Sequence, residues 1–233
     1  MNAPMGDWMV QLLATDTPVL PSSLALQVGL QLGWSVVLAW LGLVAVARWW
    51  PGKPGARTRR PWAVAGLLAL WTWLPGPVSP AYWLGLAFQV PSAVTVLLCA
   101  GLLWDQCARA PKAATLLDAT ASVAADGRIL ALAAMGVVLG WALLLDSFAV
   151  LPVQLYAWGF SPAALGLALL VVLLPWVLGR GLAPVREFRA WVAPGALLVL
   201  VVWRLPTGNV WDALLDPWLW LALHAVVIRR VMR

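Results

Sequence analysis

Charge is what this sequence has least of. Only 10% of its 233 residues are Asp, Glu, Lys or Arg, against 63% hydrophobic residues. A water-soluble domain carries about a quarter charged residues, and no soluble fold of this length hides so much apolar side chain. Histidine occurs once, at His224, which excludes bis-His haem ligation. The two cysteines, Cys99 and Cys107, form no CxxC, which argues against a disulfide framework. No His, Cys and carboxylate residues recur at metal-ligand spacing. No apolar run contains Lys, so a retinal-type Schiff base is excluded. A phosphate-binding Gly-rich loop, a dinucleotide fingerprint and a nucleophile elbow are all missing. These absences predict a protein that is not an enzyme and has no cofactor or metal.

Long apolar runs are what is present. A membrane-crossing helix needs about 20 mostly apolar residues, and seven runs qualify, at roughly 22–47, 62–78, 80–104, 129–149, 162–179, 190–205 and 210–228. Pro75, Pro206 and Pro217 make the second, sixth and seventh the weakest. The mean hydropathy of +0.89 and 18 Trp, a residue that favours the membrane–water interface, agree. The fold class expected is therefore an all-α polytopic membrane protein of seven transmembrane helices, one transmembrane domain over 1–233. The first twenty residues contain no Lys or Arg, so no positive n-region marks a signal peptide, and the first span is expected to stay.

The net charge of +6 reads as topology, not as a nucleic-acid footprint, because it sits in short loops. Fourteen of the 15 basic residues fall on one face, including Arg48, Lys53, Arg57, Arg109, Lys112, Arg186 and Arg229. Only Arg204 falls on the other. The positive-inside rule then places the N-terminus outside and the C-terminus inside. Helix starts agree: Ser79-Pro80, Ser161-Pro162 and Asp216-Pro217 each offer a cap followed by Pro, all on the outer face. The most polar stretch, 105–128, is expected to carry a short surface helix over 113–125.

One pattern is written twice. Residues 70–89, LWTWLPGPVSPAYWLGLAFQ, and 202–224, VWRLPTGNVWDALLDPWLWLALH, each run from Trp through Leu-Pro and a polar gap to Ser-Pro or Asp-Pro and a Trp-Leu stretch. Arg60-Pro61-Trp62 also aligns with Arg189-Ala190-Trp191, and Gly66 with Gly195. The pattern implies a 3+1+3 parallel repeat, with halves at 22–104 and 162–230 and a linker helix at 129–149. Chance alignment of Leu-, Ala- and Trp-rich spans is the competing explanation. This layout resembles the SWEET class of sugar transporters in helix order and direction. The Pro-Gln signature of that family is absent, so the resemblance carries no site residue over.

Polar groups inside apolar runs are costly and are the site candidates. Gln27, Gln31 and Ser35 share one face of the first span, alongside the Gly29–Gly33 pair, and read either as a helix contact or as a polar path. Gln89 and Ser92 flank Pro91, where a kink is expected. His224 is a candidate proton relay or an interfacial residue. Asp146 and Arg204 are a candidate outer ion pair. Gly136 and Gly140 read as helix packing.

Two functions fit. One is a small secondary transporter or permease for a neutral or weakly charged solute, since internal repeats with broken helices build such proteins. The other is a non-catalytic accessory, assembly or scaffold subunit of a larger membrane complex. Partners expected are the lipid bilayer and either a second copy or partner membrane subunits. The Ala-, Gly-, Pro- and Arg-rich composition points to a bacterial inner membrane.

Overall fold

The computed structural model describes residues 20–49, 60–108, 127–177 and 188–232, and every regular element among them is a helix. The helices are α1 (Ser23–Trp49), α2 (Arg60–Trp71), α3 (Pro80–Phe88), α4 (Ala93–Ala108), α5 (Gly127–Ser147), α6 (Leu155–Trp158), α7 (Pro162–Val177), α8 (Phe188–Trp203), α9 (Val210–Leu214) and α10 (Pro217–Val231), with a 3-10 turn over Gly76–Val78. The expected surface helix at 113–125 and most of the basic loop residues lie outside the described residues.

Two helices are long and apolar enough to cross a membrane unaided, α1 and α5 over Leu130–Ser147. They differ in cover: 44% of the apolar window of α1 is buried by protein, but only 6% of that of α5. The remaining runs form shorter helices, and three of those expected to be continuous are broken. The run 62–78 stops at Trp71, because Pro75 and Pro77 lack an N–H and Gly76 turns the chain at φ 63°. The run 80–104 is two helices instead of one kinked helix. Gln89, at φ 60° and ψ −149°, leaves the helical region entirely, and Pro91 disfavours helix at the residue before it. The run 210–228 breaks at Leu215 and Asp216, both extended, as a residue preceding Pro217 should be.

Caps follow the sequence signals. Ser79 accepts from the Ala81 N–H at 3.1 Å, Ser161 from that of Ala164 at 3.1 Å, and Asp216 from that of Leu219 at 2.7 Å. Asn209 adds a fourth cap, accepting from the Trp211 N–H at 2.9 Å.

Burial divides into two larger apolar clusters, a bridge between them, and a small cluster of Ala133 with Val226 that joins α5 to α10. The first gathers Trp34, Val37, Trp40 and Leu43 of α1 with Ala65, Ala81 and Cys99. The second gathers Ala164, Ala168 and Val172 of α7 with Leu197, Leu200 and Trp211. Ala93 and Val94 of α4 meet Val192 and Ala196 of α8 between them. The small-residue pairs work as close-approach points. A Cβ at Gly136 would lie 2.6 Å from Leu223, and one at Gly140 would overlap the Trp220 indole, so α5 and α10 touch nearly backbone to side chain. Gly29 and Gly33 likewise admit Leu205 and Pro91 against α1.

Candidate functional site

The two breaks that interrupt α3/α4 and α9/α10 meet. The Ser92 N–H donates to Oδ2 of Asp216 at 2.9 Å, joining residues 124 apart in sequence. The other oxygen of the same carboxylate, Oδ1, caps α10 through the Leu219 N–H. One carboxylate therefore lies at the N-terminal ends of two helices, where unpaired N–H groups and aligned peptide dipoles favour negative charge. Ser92 is fully buried. Its hydroxyl accepts from the Thr95 N–H at 3.1 Å and donates to the Thr95 hydroxyl at 2.9 Å. The Trp34 indole closes the other side, donating to the Gln89 carbonyl at 2.9 Å. Phe88 bridges Trp34 and Trp218 with ring centroids 6.5 and 5.0 Å away. The sequence flags Asp216 as a cap, but nothing local in it signals the bond to Ser92.

The other candidates go to separate places. Gln27 and Gln31 line a cleft of about 200 Å³ with Leu30, Leu74, Ser79 and Tyr82. Gln89 is exposed and does not reach that cleft. Ser35 is buried and bonds the Thr72 hydroxyl, with the Ala69 carbonyl 3.2 Å away. Ser79 donates to the Thr72 carbonyl at 2.7 Å. Ser35 therefore ties α1 to the end of α2 and faces no cavity.

His224 holds α5 to α10. Its Nε2 accepts from the Trp141 indole N–H at 3.1 Å, so Nδ1 carries the proton and donates to the Trp220 carbonyl at 2.8 Å. Both ring nitrogens are occupied in this contact, between Trp rings 4.7 and 6.2 Å away.

Asp146 and Arg204 form no ion pair. The Asp146 carboxylate accepts from the Tyr156 backbone N–H at 2.7 Å, and Arg204 stands at φ 58° as the chain leaves α8. Asp212 is the more connected acid. It accepts from the Tyr156 hydroxyl at 2.8 Å and from the Thr207 hydroxyl at 2.5 Å. Partial burial, then the bond to Asp212 and its charge, raise the Tyr156 phenol above its ordinary range. Asn209, fully buried, donates to the Tyr156 carbonyl at 2.8 Å, and the Trp211 indole donates to the Leu155 carbonyl at 2.8 Å. Sequence reasoning passed over this belt. Its one local signal is the Asn-Val-Trp-Asp helix start.

Among the described residues no group of three or more His, Cys, Asp or Glu stands close enough to hold a metal ion. No protein-family model, no curated protein and no solved structure matches the chain.

Proposed function

We propose that this chain is an integral membrane permease for a small neutral or weakly charged solute. In this reading it crosses the bacterial inner membrane with seven segments, N-terminus outside, and its two halves are parallel repeats. The observation that carries the proposal is the meeting of two discontinuous helices at Asp216. Transporters place solute and coupling sites where helices break inside the bilayer, and an ionisable group at such a point is a functional candidate by default. Height supports the assignment. From Ala93 to Trp104 and from Pro217 to Ile228 the apolar part of each helix rises about 18 Å at 1.5 Å per residue. In this reading both helices end at the cytoplasmic surface, so that Ser92 and Asp216 lie at one level, short of the outer edge of a hydrocarbon layer about 30 Å thick.

The test is stopped-flow light scattering on proteoliposomes challenged with a panel of small neutral solutes. Wild-type protein should raise permeability to at least one of them, and Asp216→Asn should lower that rate at least tenfold while the protein remains folded. Permeability equal to that of protein-free liposomes for every solute would end the reading.

A second reading, an accessory or scaffold subunit, is favoured by a different observation. The polar side chains at the junction are mutually paired, and α2 presents an open apolar groove lined by Val64, Leu67, Leu68, Leu70, Trp71 and Leu74. Under that reading the purified chain is inert in liposomes and elutes from mild detergent with a defined protein partner.

A further inference from the structure

The cleft between α1 and α3 gathers several polar groups that have no partner among the described residues. Ser35, Thr72, Ser79, Ser92, Thr95, Asn209, Asp212 and Asp216 all have hydrogen-bond partners. Along the cleft the amides of Gln27 and Gln31 and the hydroxyl of Tyr82 bond to none of the described residues. The two amides are one helical turn apart on one face of α1. Leu30 and Leu74 give the cleft an apolar floor, and no charged side chain lines it. Gln27 and Tyr82 are exposed and Gln31 is half-buried, so two amides and one hydroxyl stand open to a ligand.

We infer that this cleft binds a small neutral group that both donates and accepts hydrogen bonds. A primary carboxamide fits best, because it pairs with a Gln side chain at two points, donor to acceptor and acceptor to donor. The absence of lining charge selects against ions. The space of about 200 Å³ matches roughly six waters at ~30 Å³ each, or one small solute. The hydroxyl-bearing head of a lipid offers the same chemistry. The site goes beyond the permease reading: it specifies what is recognised, at residues away from the Asp216 junction.

Saturation-transfer NMR with acetamide as the probe, on the full chain in phosphatidylcholine nanodiscs, tests it. Transfer to acetamide is expected for wild type, with at least a fivefold loss in Gln31→Leu and a partial loss in Tyr82→Phe. If Gln31→Leu does not fold, Tyr82→Phe, which removes only an exposed hydroxyl, carries the same comparison. Suppression of the wild-type signal on moving to phosphatidylglycerol nanodiscs would identify a lipid head as the occupant of the same site. Undiminished transfer in both variants overturns the proposal, as does no transfer to wild type in either lipid. Binding without solute uptake would sink the permease and leave the site standing. Uptake by the wild type with undiminished acetamide transfer in both variants would do the reverse.

Discussion

The connection after α2 and the connection after α8 begin alike and end differently. Each follows a short helix that closes on Trp, passes a Leu-Pro pair, turns at a left-handed Gly and caps a new short helix with a polar side chain. Gly76, at φ 63°, and Gly208, at φ 84°, hold the turns, a conformation that costs glycine least. In the first connection Trp73, Leu74 and Val78 are exposed, and only Thr72 and Ser79 reach inward. In the second, Pro206, Gly208, Asn209, Val210 and Trp211 are all buried, covered by the α5–α7 connection around Tyr156 and Gly159. Two similar sequence patterns yield an open flap after α2 and a buried plug after α8. What decides is the neighbour: among the described residues the α5–α7 connection has no counterpart beside the connection after α2. The open side is where the unpaired Gln and Tyr groups remain.

The largest break in this comparison should come from adding one methyl group. A Cβ at Gly159 would overlap Asn209 Oδ1 and lie 2.6 Å from the Trp211 indole nitrogen, whereas one at Gly66 meets nothing within 4 Å. Gly159→Ala is expected to destabilise by about 3 kcal/mol or more. Gly66→Ala, on the exposed face of α2, should be neutral or stabilising by up to about 1 kcal/mol from helix propensity. Thermal unfolding in detergent reads both, and equal shifts would mean that the second connection is not buried as described.

Removing the caps should give a smaller contrast of the opposite sign. Asn209→Ala loses the cap on α9 and one of two donors to the Tyr156 carbonyl, which keeps the Gly159 N–H at 3.0 Å. A lost cap costs about 1 kcal/mol, and the lost hydrogen bond adds about 1 kcal/mol. Ser79→Ala loses its cap too and leaves the buried Thr72 carbonyl without its donor, which adds about 1–3 kcal/mol. A larger fall in unfolding midpoint for Asn209→Ala than for Ser79→Ala would show that the Thr72 carbonyl is open to water.

Asp216 belongs to both halves and can be separated into its two roles. Asp216→Ala removes the cap on α10 and the bond to Ser92 together, a loss of about 2–3 kcal/mol. Asp216→Asn keeps one acceptor. Its oxygen still caps Leu219, while its NH₂ faces the Ser92 N–H, donor against donor, so about 1 kcal/mol should be lost. If Asn is as damaging as Ala, the bridge between halves carries the stability and the cap carries little.

How much of this was legible in the sequence depends on the range of the interaction. Ser79, Ser161 and Asp216 announce their helix starts because a cap acts within three residues. The Gly136–Gly140 pair announces a close helix contact for the same local reason. Pro91 announced a disturbance, but its size was not legible: a Pro alone kinks a helix, and it is the left-handed Gln89 beside it that makes a full break. Ser35 read as part of one polar face with Gln27 and Gln31. Spacing gives the face but not the neighbour, and Thr72 claims Ser35 while the two Gln stay open. The Asp146–Arg204 pairing failed because opposite charge at similar height says nothing of the backbone N–H that lies nearer to Asp146. The bond from Asp216 to Ser92 spans 124 residues, and no periodicity in one sequence encodes such a distance.

The smallest effect at neutral pH, and the one with the clearest sign, belongs to Tyr156. Its phenol is raised above an ordinary value of about 10, first by partial burial and then by the bond to Asp212 and the charge of that carboxylate. The fold therefore favours the protonated phenol. The stability this adds is fully present below about pH 10 and is lost as pH climbs from there toward the folded-state value, because the unfolded chain ionises first. Tyr156→Phe removes one hydrogen bond and should cost about 1 kcal/mol or less at pH 7. Between pH 10 and pH 12 the wild-type unfolding temperature should fall faster than that of the variant, until the two converge. Parallel slopes across that range would mean that Asp212 is held by Thr207 alone and that the plug does not depend on the phenol.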